Sequence, residues 1–301
     1  MNRIFDCNVL TEGQKVYSQA SIEIDRLQNL FCSESKRYPY NPMWLYPYLF
    51  CDAFPSVDSK CLNILCTASV FLLEHILHYD NMIDGQALHD SKEILYKNYL
   101  LHMSTRLYSQ LFDFKSPFWD YHERYFSEYL HAVHLEQLNH KDKINRYSEE
   151  EFIKISKGKA ALSKVVIAAL GCLDNNSIAM ERLNISQDYF SQGYQYYDDL
   201  KDINQDLKNK IYSWVITEVL LKSGKDCLEE RQLRNLVALY GYDEYMLKKS
   251  IEMFDKALAF TCEENAWIRY IRITKKTSEE LLEKICSIKT QSDLGRDYAC
   301  Q

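Results

Sequence analysis

Asp198, Asp202 and Asp206 recur at intervals of four in FSQGYQYYDDLKDINQDLKNKIYS, with Asp199 beside the first of them. On a helix that spacing stacks carboxylates along one face. Like charges so placed repel by about a few tenths of a kcal/mol per pair, and a divalent cation removes the repulsion. A run of acids also suits a plain solvated face, but the flanks Tyr194, Tyr196, Tyr197, Leu200 and Ile203 are aromatic or apolar and argue for a lined site. Carboxylates with few imidazoles or thiols beside them select Mg²⁺, which keeps several waters and shares its shell with substrate phosphates. A second pair, Asp80 and Asp84, closes the apolar stretch FLLEHILHYDNMIDG, on the helix face that carries Phe71, Ile76 or Leu77 below it. The C-terminal end of a helix is the negative end of its dipole, so this pair also calls for a cation. Two such clusters predict one pocket with carboxylates and Mg²⁺ at its mouth and an aliphatic, aromatic interior below. A diphosphate head on a hydrocarbon tail fits that shape.

The elements that must position these groups are helical. Apolar residues recur at three and four throughout, and strand alternation bounded by turn pairs is nearly absent. The pattern predicts an all-α protein with helices over about 12–32, 42–55, 59–84, 89–113, 118–138, 149–173, 186–206, 210–223, 227–238, 242–261 and 265–289. The connections are short and no Pro/Gly/Ser linker divides the 301 residues, so a single domain over 1–301 is expected, a bundle of about ten helices around an apolar pocket. Lys and Arg total 36 against 43 Asp and Glu. That balance argues against the broad positive footprint that nucleic acid or an anionic membrane selects. Ten scattered cysteines without a CxxC pair read as reduced thiols. The N-terminus lacks an apolar signal region, and the longest apolar runs, 62–73 and 165–173, fall short of the ~20 residues of a membrane span. The expectation is a cytoplasmic chain without a transmembrane segment.

At this level the residues resemble a known family. Asp198-Asp199-Leu200-Lys201-Asp202, with Gln195 three positions before the first Asp and Asp206 after, looks like the second aspartate-rich motif of the trans-isoprenyl diphosphate synthases. HILHYDNMID looks like their first motif, with Asn81 in place of the second Asp, and Lys159-Ala160-Ala161-Leu162 resembles their Lys-Thr-(Ala/Gly)-x-Leu segment. The three motifs stand in the family's order over roughly 70–215. The resemblance implies the class I isoprenoid synthase fold, with three Mg²⁺ ions held by Asp80, Asp84, Asp198 and Asp202, and with Asp199 a further catalytic acid. It implies contacts from Lys159, Lys208 and Lys210 to the diphosphate. Asn81, Gln195 and Asp206 belong to the substrate site, and Phe71 and Tyr79 are candidates to stabilise a cation through their rings.

The departures bear on which reaction the fold would house. Chain-elongating members hold isopentenyl diphosphate with a Gly-Lys-Arg-x-Arg-Pro segment and an Arg-Arg pair after the first motif. Here Lys36-Arg37-Tyr38-Pro39 lacks the second Arg, and GQALHDSKEILYKN contains no Arg. A second phosphate site would lack those bidentate donors. Arg269-Tyr270 resembles the late Arg-Tyr pair of terpene cyclases. The sequence therefore favours a Mg²⁺-dependent terpene synthase acting on one prenyl diphosphate of C10–C25, with the prenyl elongase as its alternative. From other classes, a non-catalytic prenyl-diphosphate-binding subunit and a di-iron oxidase built on Glu128 and His131 stay open. The resemblance also implies a homodimer.

Overall fold

Helices account for the regular structure of the described residues, 7–31, 45–83, 91–261 and 265–299 of this computed structural model, and no strand occurs among them. In chain order they are α1 (Cys7–Phe31), α2 (Tyr46–Phe50), α3 (Ser59–Ile83), α4 (Ser91–Tyr108), α5 (Phe118–Asn139), α6 (Glu149–Lys159), α7 (Ala161–Asp174), α8 (Ser177–Lys201), α9 (Ile203–Lys208), α10 (Trp214–Ser223), α11 (Glu230–Leu239), α12 (Tyr242–Ala259) and α13 (Ala266–Ala299). Their contacts divide the chain into two compact units, one of Met1–Phe126, Leu162–Asn184 and Glu263–Arg269, the other of Ser127–Ala161, Ile185–Cys262 and Tyr270–Gln301.

In the first unit α3 packs most extensively on α4, and also on α1 and α2. The buried faces meet in a cluster of Ala20, Ile24 and Leu27 from α1, Val70 and Phe71 from α3, and Tyr96 and Leu100 from α4. The Ser104 hydroxyl donates to the Ala68 carbonyl at 2.9 Å and fixes the depth of α4 on α3. The stretch Ser59–Tyr79 of α3 is long and apolar enough to cross a membrane, with a mean hydropathy of 1.5. The run 62–73 read from the sequence is shorter because Glu74 ends it, whereas the helix continues apolar beyond that residue. More than half of that stretch is buried inside the protein, which accounts for its hydropathy.

The core of the second unit gathers Phe152 and Ile155 of α6, Tyr196 and Leu200 of α8, Val215, Ile216, Val219 and Leu220 of α10, Leu233 and Val237 of α11, and Met246 and Leu247 of α12. The helix starts follow ordinary capping chemistry. Ser148 accepts from the Glu151 amide at 3.0 Å, three acids open α6 and two lysines close it, as the dipole favours. Gly224, at φ 63°, ends α10 with its amide on the Leu220 and Leu221 carbonyls. Gly193 lets α8 approach α12, since a Cβ there would stand 3.0 Å from the Phe254 ring and from the Ser250 carbonyl oxygen.

Three breaks correct the helices expected from periodicity. The helix expected over 149–173 is two, because the chain turns at Ala160 (φ −88°, ψ 0°) without a Gly or Pro to mark it. The helix expected over 186–206 begins earlier, at Ser177, because the Asn176 side chain caps it through the Ala179 amide at 3.0 Å. It also ends earlier, at Lys201, where Asp202 takes φ −95°, ψ 7° and starts α9. The helix expected from 210 starts at Trp214 instead, because Lys210 sits in the left-handed region at φ 55°.

Candidate functional site

The second aspartate-rich segment is carried across the α8–α9 junction. Asp198 and Asp199 lie on the last turns of α8, Asp202 is the junction residue and Asp206 lies in the first turn of α9. Although the helix breaks, the Asp202 amide still bonds the Asp198 carbonyl at 2.8 Å and the Asp206 amide the Asp202 carbonyl at 3.0 Å. The backbone thus keeps the four-residue register that the spacing predicts.

Burial and mutual repulsion set the charge of these acids. Asp199 is only 6% exposed. Burial pushes its carboxyl up to about 7, against a hydrogen bond from the Gln195 amide and the positive charge of Lys159. Asp206 is pushed up to about 8, first by burial and then by the charge of Asp199, again with Lys159 opposing. Asp198 is raised by burial and by Asp202, while Lys201 pulls it back from 3.6 Å. Lys201 also stands 3.4 Å from Asp202. Carboxyls raised chiefly by burial, and further by one another's charge, mark a place short of positive charge.

Lys159, the last residue of α6, brings positive charge that acts on the acids from outside their own segment. Its ammonium lies 3.0 Å from Oε2 and 3.2 Å from Oε1 of Glu136 on α5, and its charge lowers Asp198, Asp199 and Asp206 alike. Tyr147 completes this corner. Its phenol is buried and its pKa is driven far up by burial, then by Glu136 and Asp199. The Tyr147 ring stacks on buried His140 at 3.6 Å, and the His140 Nε2 is 3.1 Å from Glu151 Oε1. Neither Glu136 nor Tyr147 is marked by spacing in the sequence, since both reach the acids only through the approach of one helix or loop to another.

The remaining candidates are placed as follows. Asp80 and Asn81 fall in the last turn of α3, while Asp84, Lys36 and Arg37 lie outside the described residues. Phe71 is buried in the α1–α3–α4 cluster. Tyr79 stacks on His75, ring centroids 5.7 Å apart, and His75 Nδ1 is 2.9 Å from the Lys97 carbonyl. His78 and Glu74 form a buried pair at 3.2 Å on the same helix. These groups belong to the first unit and the Asp198–Asp206 segment to the second. Lys208 is exposed and pairs with Glu230 at 3.0 Å, and Lys210 lies 4.0 Å from Asp142. Arg269 and Tyr270 open α13, where the Tyr270 ring lies against Phe190 at 5.4 Å. His131 of the Glu128-x-x-His131 pattern is exposed.

Among the described residues no three His, Cys, Asp or Glu side chains are gathered to hold a metal by themselves. Mg²⁺ is commonly held by one or two carboxylates and completed by waters and phosphate oxygens. Asp198 and Asp202, all-oxygen donors one helical turn apart, fit such an ion.

No protein-family profile and no curated protein matches the sequence. Solved structures do match. Octaprenyl pyrophosphate synthase from Helicobacter pylori is 15% identical with a TM-score of 0.69, over 92% of this chain and 99% of that one. Polyprenyl synthase from Caulobacter crescentus CB15, solved with calcium and isoprenyl diphosphate, is 15% identical with a TM-score of 0.68, over 90% and 97%. Geranylgeranyl pyrophosphate synthase from Corynebacterium glutamicum, solved with the same two ligands, is 13% identical with a TM-score of 0.68, over 94% and 99%. The chain has the all-α fold of the trans-isoprenyl diphosphate synthases, the class I isoprenoid synthase fold, in agreement with the motifs.

Proposed function

We propose that the chain is a Mg²⁺-dependent enzyme of allylic prenyl diphosphates, and that it joins the prenyl group to isopentenyl diphosphate. The observation that carries this reading is the Asp198–Asp199–Asp202–Asp206 segment with Lys159 beside it, in this fold. The similar solved structures support elongation, as they are prenyl diphosphate synthases, two of them holding calcium with isoprenyl diphosphate. Bound Mg²⁺ would neutralise the diphosphate and the charge that develops as its C–O bond breaks. Asp198 and Asp202, with Asp80 and Asp84, would hold it. Lys159 would contact the leaving diphosphate, exchanging Glu136 for a phosphate oxygen. Gln195 would fix Asp199 through their hydrogen bond. Asp206, Asn81, Lys208, Lys210, Phe71, Tyr79, Arg269 and Tyr270 stay candidates for the substrate site.

A second reading, ionisation of one prenyl diphosphate followed by cyclisation, rests on the missing arginines, since 85–98 contains none and Lys36-Arg37-Tyr38-Pro39 is one short. The two readings are separated by incubating the protein with Mg²⁺ and C10, C15, C20 or C25 prenyl diphosphate, with and without isopentenyl diphosphate, and identifying the products by mass. A longer diphosphate formed only with isopentenyl diphosphate supports elongation. A hydrocarbon or alcohol from a single substrate makes it a terpene synthase, and binding without any product leaves a non-catalytic subunit.

A further inference from the structure

The second unit holds a cavity of about 480 Å³ that the proposed chemistry does not use. Its volume lies within the roughly 300–1,000 Å³ of small-molecule pockets. The walls are apolar, with Leu200 of α8, Val237 of α11, and Leu281 and Ile285 of α13. Three charged residues, Lys201, Arg234 and Asp243, line it as well.

Their partners decide what this lining can bind. The Asp243 carboxylate is answered by Lys289 at 2.9 Å. The Lys201 ammonium is drawn to Asp198 and Asp202, which leaves its methylene stem as the part suited to cover an apolar ligand. Arg234 is different. Its Nε donates to the neutral Asn204 Oδ1 at 3.0 Å, and among the described residues no carboxylate pairs with it. The cavity therefore offers an apolar interior and one guanidinium with its outer fork uncommitted, a geometry suited to a phosphate or carboxylate. A neutral hydrocarbon would leave the arginine unused, and a free inorganic anion would leave the walls unused.

We propose that this cavity is a binding site for a small amphipathic anion, an alkyl chain with a phosphate or carboxylate head that Arg234 receives. The site borders the carboxylates of the α8–α9 junction, sharing the Lys201 side chain with them, and takes its ligand without metal.

The test is calorimetric titration of the full chain, in EDTA, with octyl phosphate, octanoate, octanol and inorganic phosphate. Octyl phosphate or octanoate should bind with a submillimolar Kd, and octanol and inorganic phosphate at least about ten-fold more weakly; the stronger of the two anions identifies the head. Arg234→Ala, at an exposed position, should weaken that binding at least about ten-fold with an unchanged thermal midpoint. Asp198→Asn should not weaken it, since that change loosens the hold on the Lys201 ammonium beside the cavity. Absence of binding by either amphipathic anion overturns the proposal. Binding that ignores Arg234→Ala also overturns it. So does binding that is lost in Asp198→Asn or appears only with Mg²⁺, since the ligand would then sit at the carboxylates.

Discussion

Replacing Asp199 by Asn should flatten the pH dependence of stability of the metal-free protein. The Asp199 carboxyl is pushed from 3.8 to about 7 by burial, so the folded state binds its proton far more tightly than the unfolded chain. With the folded value raised, the stability this group supplies is complete below about pH 4 and is lost as the pH rises through about 7. Each tenfold gain in proton affinity is worth about 1.4 kcal/mol, so the total change is roughly 4 kcal/mol. About 1.4 kcal/mol of it falls between pH 6 and pH 8, where the folded group loses most of its proton and the unfolded one is already ionised. In a chain of this size that amounts to roughly 2–3 °C in Tm. The charged groups acting on Asp199 are Lys159, Glu136 and Asp198, and Gln195 donates to it. Asp206 feels Asp199 in turn, so its own loss of stability shrinks with the substitution in the same direction. His75, His122 and His140 are lowered by desolvation and so add stability that is lost on acidification. They are common to both proteins and cancel in the difference. The assay is thermal or urea unfolding of wild type and Asp199→Asn in EDTA at pH 6, 7 and 8. Parallel curves, with the gap between the two proteins constant to about 0.3 kcal/mol, would refute the argument that burial keeps this carboxyl protonated.

Asp198→Ala and Asp80→Ala should each abolish consumption of prenyl diphosphate while keeping the thermal midpoint within about 1 °C in EDTA; wild-type turnover in either would remove that acid from the metal set. Glu136→Gln should tighten Mg²⁺-dependent binding of inorganic diphosphate by up to about five-fold, because it frees Lys159 from a pair of the kind worth about 0.2–1 kcal/mol. Weaker binding in isothermal titration would mean that Glu136 positions Lys159 instead. Gly193→Ala should destabilise by about 1–3 kcal/mol in urea unfolding, as its methyl group meets Phe254 and the Ser250 carbonyl with no room to move; a neutral effect would show that α8 and α12 separate easily.

Periodicity was a good guide to helices because each buries one apolar face, and the cap at Ser148 can be read directly from the residues, whereas the start of α11 at Glu230 falls later than the expected 227. The breaks at Ala160 and Asp202 could not be read, since neither carries a helix breaker and both depend on how neighbouring segments pack. At the site, the acids of one segment declared themselves by spacing, and the likeness of three motifs led to the right fold. Glu136 and Tyr147 stayed hidden, as they reach Lys159 and Asp199 from other parts of the chain. The preference for cyclisation drawn from missing arginines has less support than elongation from the solved structures, which shows how weakly two absent side chains speak about the reaction.

The short antiparallel bridge between Lys141 and Ile211 has a kinetic meaning. Asp142 donates its amide to the Lys210 carbonyl, Tyr212 donates to His140, and the Lys141 ammonium reaches the Asn209 carbonyl 68 positions away. Closing a loop of that length costs on the order of 4 kcal/mol of chain entropy. Lys159, Asp198, Asp199, Asp202 and Asp206 all lie inside the loop. Shutting this clasp confines Lys159 of α6 and the acids of the α8–α9 junction to a smaller volume, and as a contact between distant parts of the chain it is slow to form.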